Sequence, residues 1–407
     1  MKKHPGVLFL FAVLTGTLAA QTVQSGPGAV PFPGAQGIPQ GASVPETAEL
    51  RNFYYHVVSD GGSADAAALA RELELRFNVF NRLFRFDAAS LASPLKVRAF
   101  KDKEAYDTYV SARLGSSREG AVYLHYNQRE RRELVIHRGS PEESRSLSYQ
   151  AFVQFIRGFI ANPPAWLRDG FAVYFSTITY NSASGELAYE ENLSWLETVK
   201  NLGDAAPAPE AVFEADIRGF PSHFQAMAWS LVSFFLNSGN EDYFRTMTEL
   251  FMVLSETDGA RENAEVVFRR IQRHDSAAFR KDYLAYLASR KTFGELIREG
   301  QNAYALQDLP AAEQRFIDAL NQKPANPVPY YYLGLLAYEK HNYDLAENYY
   351  RSALQYGADD ALVRYALGVN AASAGRFAEA KGYLEQAAAA SPERYKSRVE
   401  GILLNLP

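Results

Sequence analysis

The segments that decide the fold are YQAFVQF, residues 149–155, and PAWLRDGFAVYF, residues 164–175. Both are apolar with a few polar positions, and we predict that each lies in a helix, the first running from about residue 142 to residue 160. Pro163 and Pro164 separate the two segments. Proline cannot continue a helix but suits the first turn of one, so the pair should end the first helix and begin the second.

The second segment resembles the W-L-x-E-G-x-A-x-Y stretch of the gluzincin (peptidase MA-like) metallopeptidases, which follows an H-E-x-x-H helix after a similar short interval. The resemblance puts Tyr149 and Val153 where the two histidines belong and Gln150 where the catalytic glutamate belongs. Asp169 stands where the third ligand, a glutamate, is expected. The implied fold class is α+β, a zincin-type mixed sheet covered by helices.

These four residues cannot perform the chemistry that the resemblance implies. Catalytic zinc needs three protein ligands and an open position for water. Val153 has no donor atom, a tyrosine with a pKa near 10 is a poor ligand, and Gln150 cannot accept a proton. Asp169 alone cannot hold zinc. We therefore expect no catalytic residue, metal or cofactor here, but a degenerate cleft that could still bind an extended peptide without cutting it.

Other metal ligands are scarce. The chain has seven histidines, and no two of them are spaced by four residues. His125 and His137 lie on predicted strands before the first helix and could line the cleft with Asp169, but ordinary strand histidines are the favoured interpretation.

The rest of residues 47–290 alternates between short strands and helices, as in an α+β domain. One predicted helix follows Ser63, with an apolar face formed by Leu69, Leu73, Phe77, Phe80 and Phe84. The predicted strands cover residues 53–58, 95–100, 121–126 and 133–137, and later helices are expected near residues 222–236 and 240–254.

From about residue 291 the sequence repeats every 34 residues. Small residues recur in register, and so does one bulky position: Gly300, Gly334 and Gly368; Ala312, Ala346 and Ala380; Ala319, Ala353 and Ala387; and Phe316, Tyr350 and Leu384. This pattern resembles the tetratricopeptide repeat, in which small residues let paired helices approach and a bulky side chain fills the groove between them. Residues 291–407 are thus expected to form an all-α solenoid of three repeats, closed by a capping helix near residues 394–406.

The inner helices of such an array present their side chains on a concave face. By repeat position, that face includes Arg298, Tyr304, Tyr331, Leu335, Tyr338, Tyr365 and Val369. Tyrosines offer a large contact area and are common in protein interfaces. We expect this face to bind a protein or peptide, although packing between helices is the alternative for any single tyrosine.

The first 20 residues read as a secretory signal peptide. Lys2 and Lys3 precede a short apolar run and small residues that end at Ala20. Gln21 stands where a lipoprotein would carry its cysteine. Residues 21–46 are rich in Gly and Pro and are interpreted as a linker. We expect an exported protein of the bacterial periplasm or cell envelope, with no stable membrane span after cleavage; an uncleaved anchor is the alternative.

Composition narrows the function further. The 407-residue chain has no cysteine, which excludes disulfides, a cysteine nucleophile and thiolate metal sites. Its net charge is −5, and no basic run is long enough for a nucleic-acid interface.

The favoured hypothesis is a non-catalytic, exported scaffold or assembly factor, built on an inactivated peptidase domain and a repeat array. An active hydrolase or metallopeptidase with displaced ligands is the alternative from another class. In a third hypothesis the α+β domain is a spacer and the repeats do all the binding.

Overall fold

The computed structural model describes residues 48–140 and 143–406. The signal peptide and linker predicted for residues 1–46 lie outside the described residues. The chain divides between Arg290 and Lys291 into two compact units. The first is α+β, with a small mixed sheet followed by helices, and the second consists of helices.

The first unit is built on a five-stranded sheet with the order β1-β2-β3-β5-β4. The central strands β2, β3 and β5 are parallel, whereas β1 and β4 are antiparallel to their neighbours at the two edges. The strands are β1 (Ala48–Arg51), β2 (Tyr55–Ser59), β3 (Leu95–Phe100), β4 (Ala121–Leu124) and β5 (Glu133–His137). The strand predicted at residues 53–58 therefore starts later than expected, because the Asn52 side chain accepts hydrogen bonds from the backbone of Tyr54 and Tyr55 and turns the chain there.

Helices cover both faces of this sheet. On one face lie α1 (Ser63–Phe84) and α3 (Glu143–Phe159), and on the other lies α2 (Lys103–Leu114). All five apolar residues predicted for the face of α1 are buried, which confirms that helix and its orientation. Asp102 caps α2 by accepting a hydrogen bond from the amide of Ala105. The predicted helix at residues 142–160 is confirmed as α3.

Helix α4 (Ala165–Phe175) follows α3 directly and packs against α8 (Phe224–Asn237). Gly170 makes this close contact possible. A Cβ atom at that position would lie 2.6 Å from the carbonyl oxygen of Ala228 and 2.8 Å from a methyl group of Val232. The glycine of the Asp169-Gly170 pair thus has a packing role that is independent of any catalytic chemistry.

The remaining elements of the first unit complete its helical half. A hairpin, β6 (Thr179–Asn181) and β7 (Glu186–Ala188), leads into the later helices. These are α5 (Leu193–Leu202), α6 (Pro209–Phe213), α7 (Ala215–Arg218), α9 (Glu241–Met252), α10 (Ala260–Ile271) and α11 (Ser276–Ser289). The helices predicted near residues 222–236 and 240–254 correspond to α8 and α9.

The second unit is a succession of antiparallel helix pairs. Each pair is formed by consecutive helices, and one more helix follows the third pair. The helices are α12 (Phe293–Ala305), α13 (Leu309–Gln322), α14 (Pro327–Glu339), α15 (Tyr343–Gln355), α16 (Asp360–Ser373), α17 (Phe377–Ala390) and α18 (Pro392–Leu403).

The 34-residue pattern corresponds to one contact repeated three times. In each pair a glycine of the first helix lies against the bulky side chain of the second. A Cβ atom added to the glycine would lie 2.8 Å from Phe316 in the first pair, 2.4 Å from Tyr350 in the second and 2.6 Å from Leu384 in the third. The six repeated alanines of the second helices are completely buried. Small residues therefore fix the distance between the paired helices.

Helix α18 covers the end of the last pair. Its Tyr395 and Val399 are buried and form a cluster with Ala361 and Leu384. In neither unit is any described helix both long enough and apolar enough to cross a membrane.

Replacing Gly334 by alanine tests the repeated contact. Gly334→Ala should lower the free energy of unfolding by up to about 2 kcal/mol, because overpacking against Tyr350 costs about 1–3 kcal/mol and the helix propensity of alanine returns about 1 kcal/mol. Urea denaturation followed by circular dichroism measures the change.

Gly382→Ala is the matched control, since Gly382 lies in α17 with no atom near its would-be Cβ. It should be neutral or stabilise by up to about 1 kcal/mol. Equal effects of the two substitutions would contradict the contact.

Candidate functional site

The four residues of the degenerate cleft lie on two adjacent helices. Tyr149, Gln150 and Val153 belong to α3, and Asp169 belongs to α4. Tyr149 and Val153 are four residues apart and therefore share one face of the helix. Val153 is only 9% exposed and belongs to the hydrophobic core.

Gln150, which the sequence resemblance aligns with a catalytic glutamate, forms a hydrogen bond with the edge strand of the sheet. Its Oε1 accepts a hydrogen bond of 3.1 Å from the backbone amide of Tyr123. One turn earlier on α3, Oγ of Ser146 accepts a hydrogen bond of 2.9 Å from the amide of Ala121. Both amides belong to the edge strand β4. The side chains of α3 therefore occupy the outward-facing donors with which an added peptide strand would pair.

Asp169, the remaining carboxylate, is paired within its own helix. The guanidinium of Arg168 donates from Nε to Oδ1 at 2.6 Å and from Nη2 to Oδ2 at 2.9 Å. Burial disfavours the charge on Arg168, but the Asp169 carboxylate outweighs that effect and raises the pKa of the guanidinium. A bidentate pair of this kind engages both carboxylate oxygens.

Tyr149 is held in its neutral form. Burial raises the pKa of its phenol, and the nearby Asp169 carboxylate raises it further. Gln225 of α8 hydrogen-bonds to the same hydroxyl. At neutral pH this site therefore presents a protonated phenol beside a carboxylate that an arginine already binds.

The two strand histidines are not brought together. His137 lies on the α2 face of the sheet, with its ring centroid 5.5 Å from that of Tyr106. His125 follows β4, and its Nε2 lies 2.9 Å from Nη1 of Arg157 on α3. Burial lowers the pKa of His125 to about 3, and Arg157 contributes to the shift, so the ring is neutral at physiological pH. In residues 48–140 and 143–406, no group of three or more His, Asp or Glu side chains could hold a metal ion.

Several residues of this site were not anticipated from the sequence. They are Tyr123, Ser146, Gln154, Arg157, Arg168 and Gln225. One signal was present: Ser146, Gln150 and Gln154 recur every four residues, and the last two interrupt the apolar run of residues 149–156, which indicates a polar row facing a specific partner.

The seven residues predicted for the concave face lie on the first helix of each pair. Arg298 and Tyr304 belong to α12, and Arg298 is exposed. The other predicted residues are half-buried: Tyr331, Leu335 and Tyr338 of α14, and Tyr365 and Val369 of α16.

Tyr331 lies close to tyrosines of other helices. Burial raises the pKa of Tyr331 to about 12, and the hydroxyls of Tyr395, Tyr332 and Tyr304 lie near enough to add to the shift. Tyr304 is on α12 and Tyr395 on α18, so residues from several successive helices meet around Tyr331.

Individual tyrosines of this face also have contacts within the chain. The hydroxyl of Tyr338 lies 3.0 Å from Oγ of Ser373, and the ring of Tyr365 stacks on Tyr395 at 4.9 Å. Tyr350 is 1% exposed, as expected for a packing residue. Tyr338 is thus a better probe of binding than Tyr365, whose ring supports the last helix.

Comparisons with models of known protein families and with curated proteins find no match. The functional argument therefore depends on the geometry of the residues described above.

The hydrogen bond from β4 to Gln150 can be tested with two substitutions. Gln150→Ala removes the acceptor of the Tyr123 amide and should lower the free energy of unfolding by about 1–3 kcal/mol. Hydrogen exchange of a peptide that covers β4 should also become faster.

Gln150→Glu keeps an oxygen acceptor in the same place, and the exchange rate of β4 should stay close to that of the wild type. Unchanged exchange in Gln150→Ala would show that the side chain does not hold the edge strand.

Proposed function

We propose that this protein is an exported, non-catalytic scaffold or assembly factor that binds proteins or peptides. In this proposal the first unit is a gluzincin-type peptidase domain that has lost its zinc site, and the second is an array of three tetratricopeptide repeats with a capping helix. The observation that carries the proposal is the group of tyrosines from α12, α14 and α18 that meet around Tyr331.

The spacing of the second unit supports the assignment to tetratricopeptide repeats. The same glycine meets the same bulky position in three successive pairs, at Gly300 and Phe316, Gly334 and Tyr350, and Gly368 and Leu384. A repeat of 34 residues built from two helices is the hallmark of that family. Arrays of this kind use their concave surface for binding.

In the first unit, the residues at the positions of the zinc site are engaged in contacts within the chain, which supports a non-catalytic role. A zinc-bound water needs three ligands and a general base. Here Gln150 is committed to the edge strand, Asp169 is bound by Arg168, and Tyr149 stays protonated. These interactions stabilise the fold in place of the metal.

The same geometry favours the array over the former cleft as the partner-binding surface. An extended peptide that pairs with β4 would have to displace Gln150 and Ser146 from the backbone amides of that strand. The concave face needs no such displacement, since its tyrosine rings are already half-exposed.

The alternative function, a metallopeptidase with displaced ligands, makes a different prediction about metal content. Protein purified without chelator should contain far less than one equivalent of zinc by mass spectrometry, because too few ligands converge. It should not cleave unstructured peptides, with or without a chelator. Stoichiometric zinc, or cleavage that a chelator abolishes, would overturn the proposal.

A variant with Tyr149→His, Gln150→Glu, Val153→His and Asp169→Glu is the positive control. It restores the complete ligand set, so it should take up zinc if the first unit has the proposed zincin frame.

The concave face is tested by truncating two of its side chains. The double substitution Arg298→Ala and Tyr338→Ala should weaken partner capture about tenfold or more, as expected for arginine and tyrosine hot spots. Partners are captured by crosslinking in a native envelope fraction and quantified by mass spectrometry.

Tyr383→Ala is the matched control, because Tyr383 lies on α17, the second helix of its pair. Circular dichroism verifies that each variant is folded. Undiminished capture by the folded double variant would exclude the concave face as the binding surface.

A further inference from the structure

A pocket lies beside the C-terminal half of α3, between that helix, β3 and the turn before β5. The space enclosed within it is about 40 Å³, enough for a few water molecules or one compact anion. Its lining consists of Leu91, Ala92, Ser93, Pro94, Leu95, Lys96, Tyr123, Arg129, Arg132, Gln154, Arg157 and Gly158.

The lining is strongly basic. It contains four cationic side chains, Lys96, Arg129, Arg132 and Arg157, and none of its residues is acidic. Arg129 forms an ion pair with Glu256 at 2.6 Å. Among the described residues, the other three form no ion pair with a carboxylate and are held by neutral groups.

Each of these three cations donates a hydrogen bond to a backbone carbonyl, and Arg157 also contacts Nε2 of His125. Lys96 donates to the carbonyl of Glu130 at 2.7 Å, and Arg132 donates from Nε to the carbonyl of Tyr126 at 2.6 Å. Arg157 donates from Nη1 to the carbonyl of Ala161 at 2.7 Å. Carbonyl oxygens orient a guanidinium without neutralising it, which leaves the positive charge to act on whatever enters the pocket.

The positive charge of Arg157 is destabilised by its surroundings. Burial, together with repulsion from Arg168 and Arg132, lowers the pKa of Arg157 to about 10 against the attraction of Asp169. An anion in the pocket would relieve this repulsion. The same anion would sit near the hydroxyl of Tyr123, whose ionisation responds to Arg132 and Arg157.

Gln154 provides a second, independent indication of a ligand. It is 1% exposed, and its Nε2 donates to the carbonyl of Lys96 at 2.7 Å. Its Oε1 is buried and has no hydrogen-bond partner among the described residues. Reversing the amide would place two oxygens against each other, so the contact to Lys96 fixes the orientation. A buried acceptor without a partner is costly, and a donor on a ligand would satisfy it.

We propose that this pocket binds a small organic anion, in which a carboxylate or phosphate group is adjacent to a hydroxyl or amino group. The anionic group would be recognised by Arg132 and Arg157, and the neighbouring donor by Oε1 of Gln154. The carbon skeleton would pack on Leu91 and Leu95. This inference is independent of the repeat array, since every residue in it belongs to the first unit.

Calorimetric titration of the full-length protein with four related compounds tests the proposal. Glycerate carries a carboxylate beside a hydroxyl, glycerol 3-phosphate carries a phosphate on the same skeleton, inorganic phosphate lacks the skeleton, and glycerol lacks the anion. We expect glycerate or glycerol 3-phosphate to bind more tightly than both inorganic phosphate and glycerol, and the preferred compound identifies the anionic group. If none of the anions binds at about 10 mM, where even a weak specific site is occupied, the proposal is wrong.

Substitutions then locate the binding. Arg157→Gln and Arg132→Gln should each weaken binding of the preferred compound about tenfold or more, because each removes a charged hydrogen bond. Gln154→Met removes the acceptor and should abolish the preference over inorganic phosphate. Arg261→Gln, at an exposed arginine of α10 outside the pocket, is the control and should bind like the wild type. Wild-type binding by both arginine variants would overturn the assignment to this pocket, as would an equal loss in the control.

Discussion

The first unit depends on how helix α3 is fixed to the sheet. Three polar side chains spaced by four residues, Ser146, Gln150 and Gln154, form hydrogen bonds with backbone groups of β4 and β3. Backbone groups at the edge of a sheet must be satisfied by some partner. Because these three side chains supply the hydrogen-bond partners, the helix cannot shift or rotate without leaving those backbone groups unpaired. Gln150, which the sequence resemblance aligns with a catalytic glutamate, is thereby engaged in structure, and the polar row continues into the basic pocket.

The second unit is held by a different constraint, which is steric rather than polar. A glycine in each pair leaves just enough room for the facing Phe316, Tyr350 or Leu384. Helix α3 and the helix pairs of the second unit therefore limit substitution in different ways. In α3, the loss of a hydrogen-bonding group destabilises the fold. In the helix pairs, the addition of a single methyl group does.

The sequence predicted those features that have a local or periodic cause. Pro163 and Pro164 marked the boundary between α3 and α4, and the spacing of Gly300, Gly334 and Gly368 located the three helix pairs. Strand β1 was missed, since four residues at a sheet edge carry little pattern. The pairing of Arg168 with Asp169 could not be foreseen either, because adjacent residues on a helix usually point in different directions. The pocket escaped prediction because β3, α3 and the turn before β5 contribute to it from distant parts of the chain.

The apolar surface that helix α18 covers has a consequence for the self-association of the protein. Tyr395 and Val399 cover the apolar side of the last helix pair, at the place where another repeat would stack. A repeating unit that presents complementary ends tends to grow head to tail into filaments unless one end is closed. By covering that side with a helix of different sequence, the chain withholds this apolar surface from open-ended stacking between molecules.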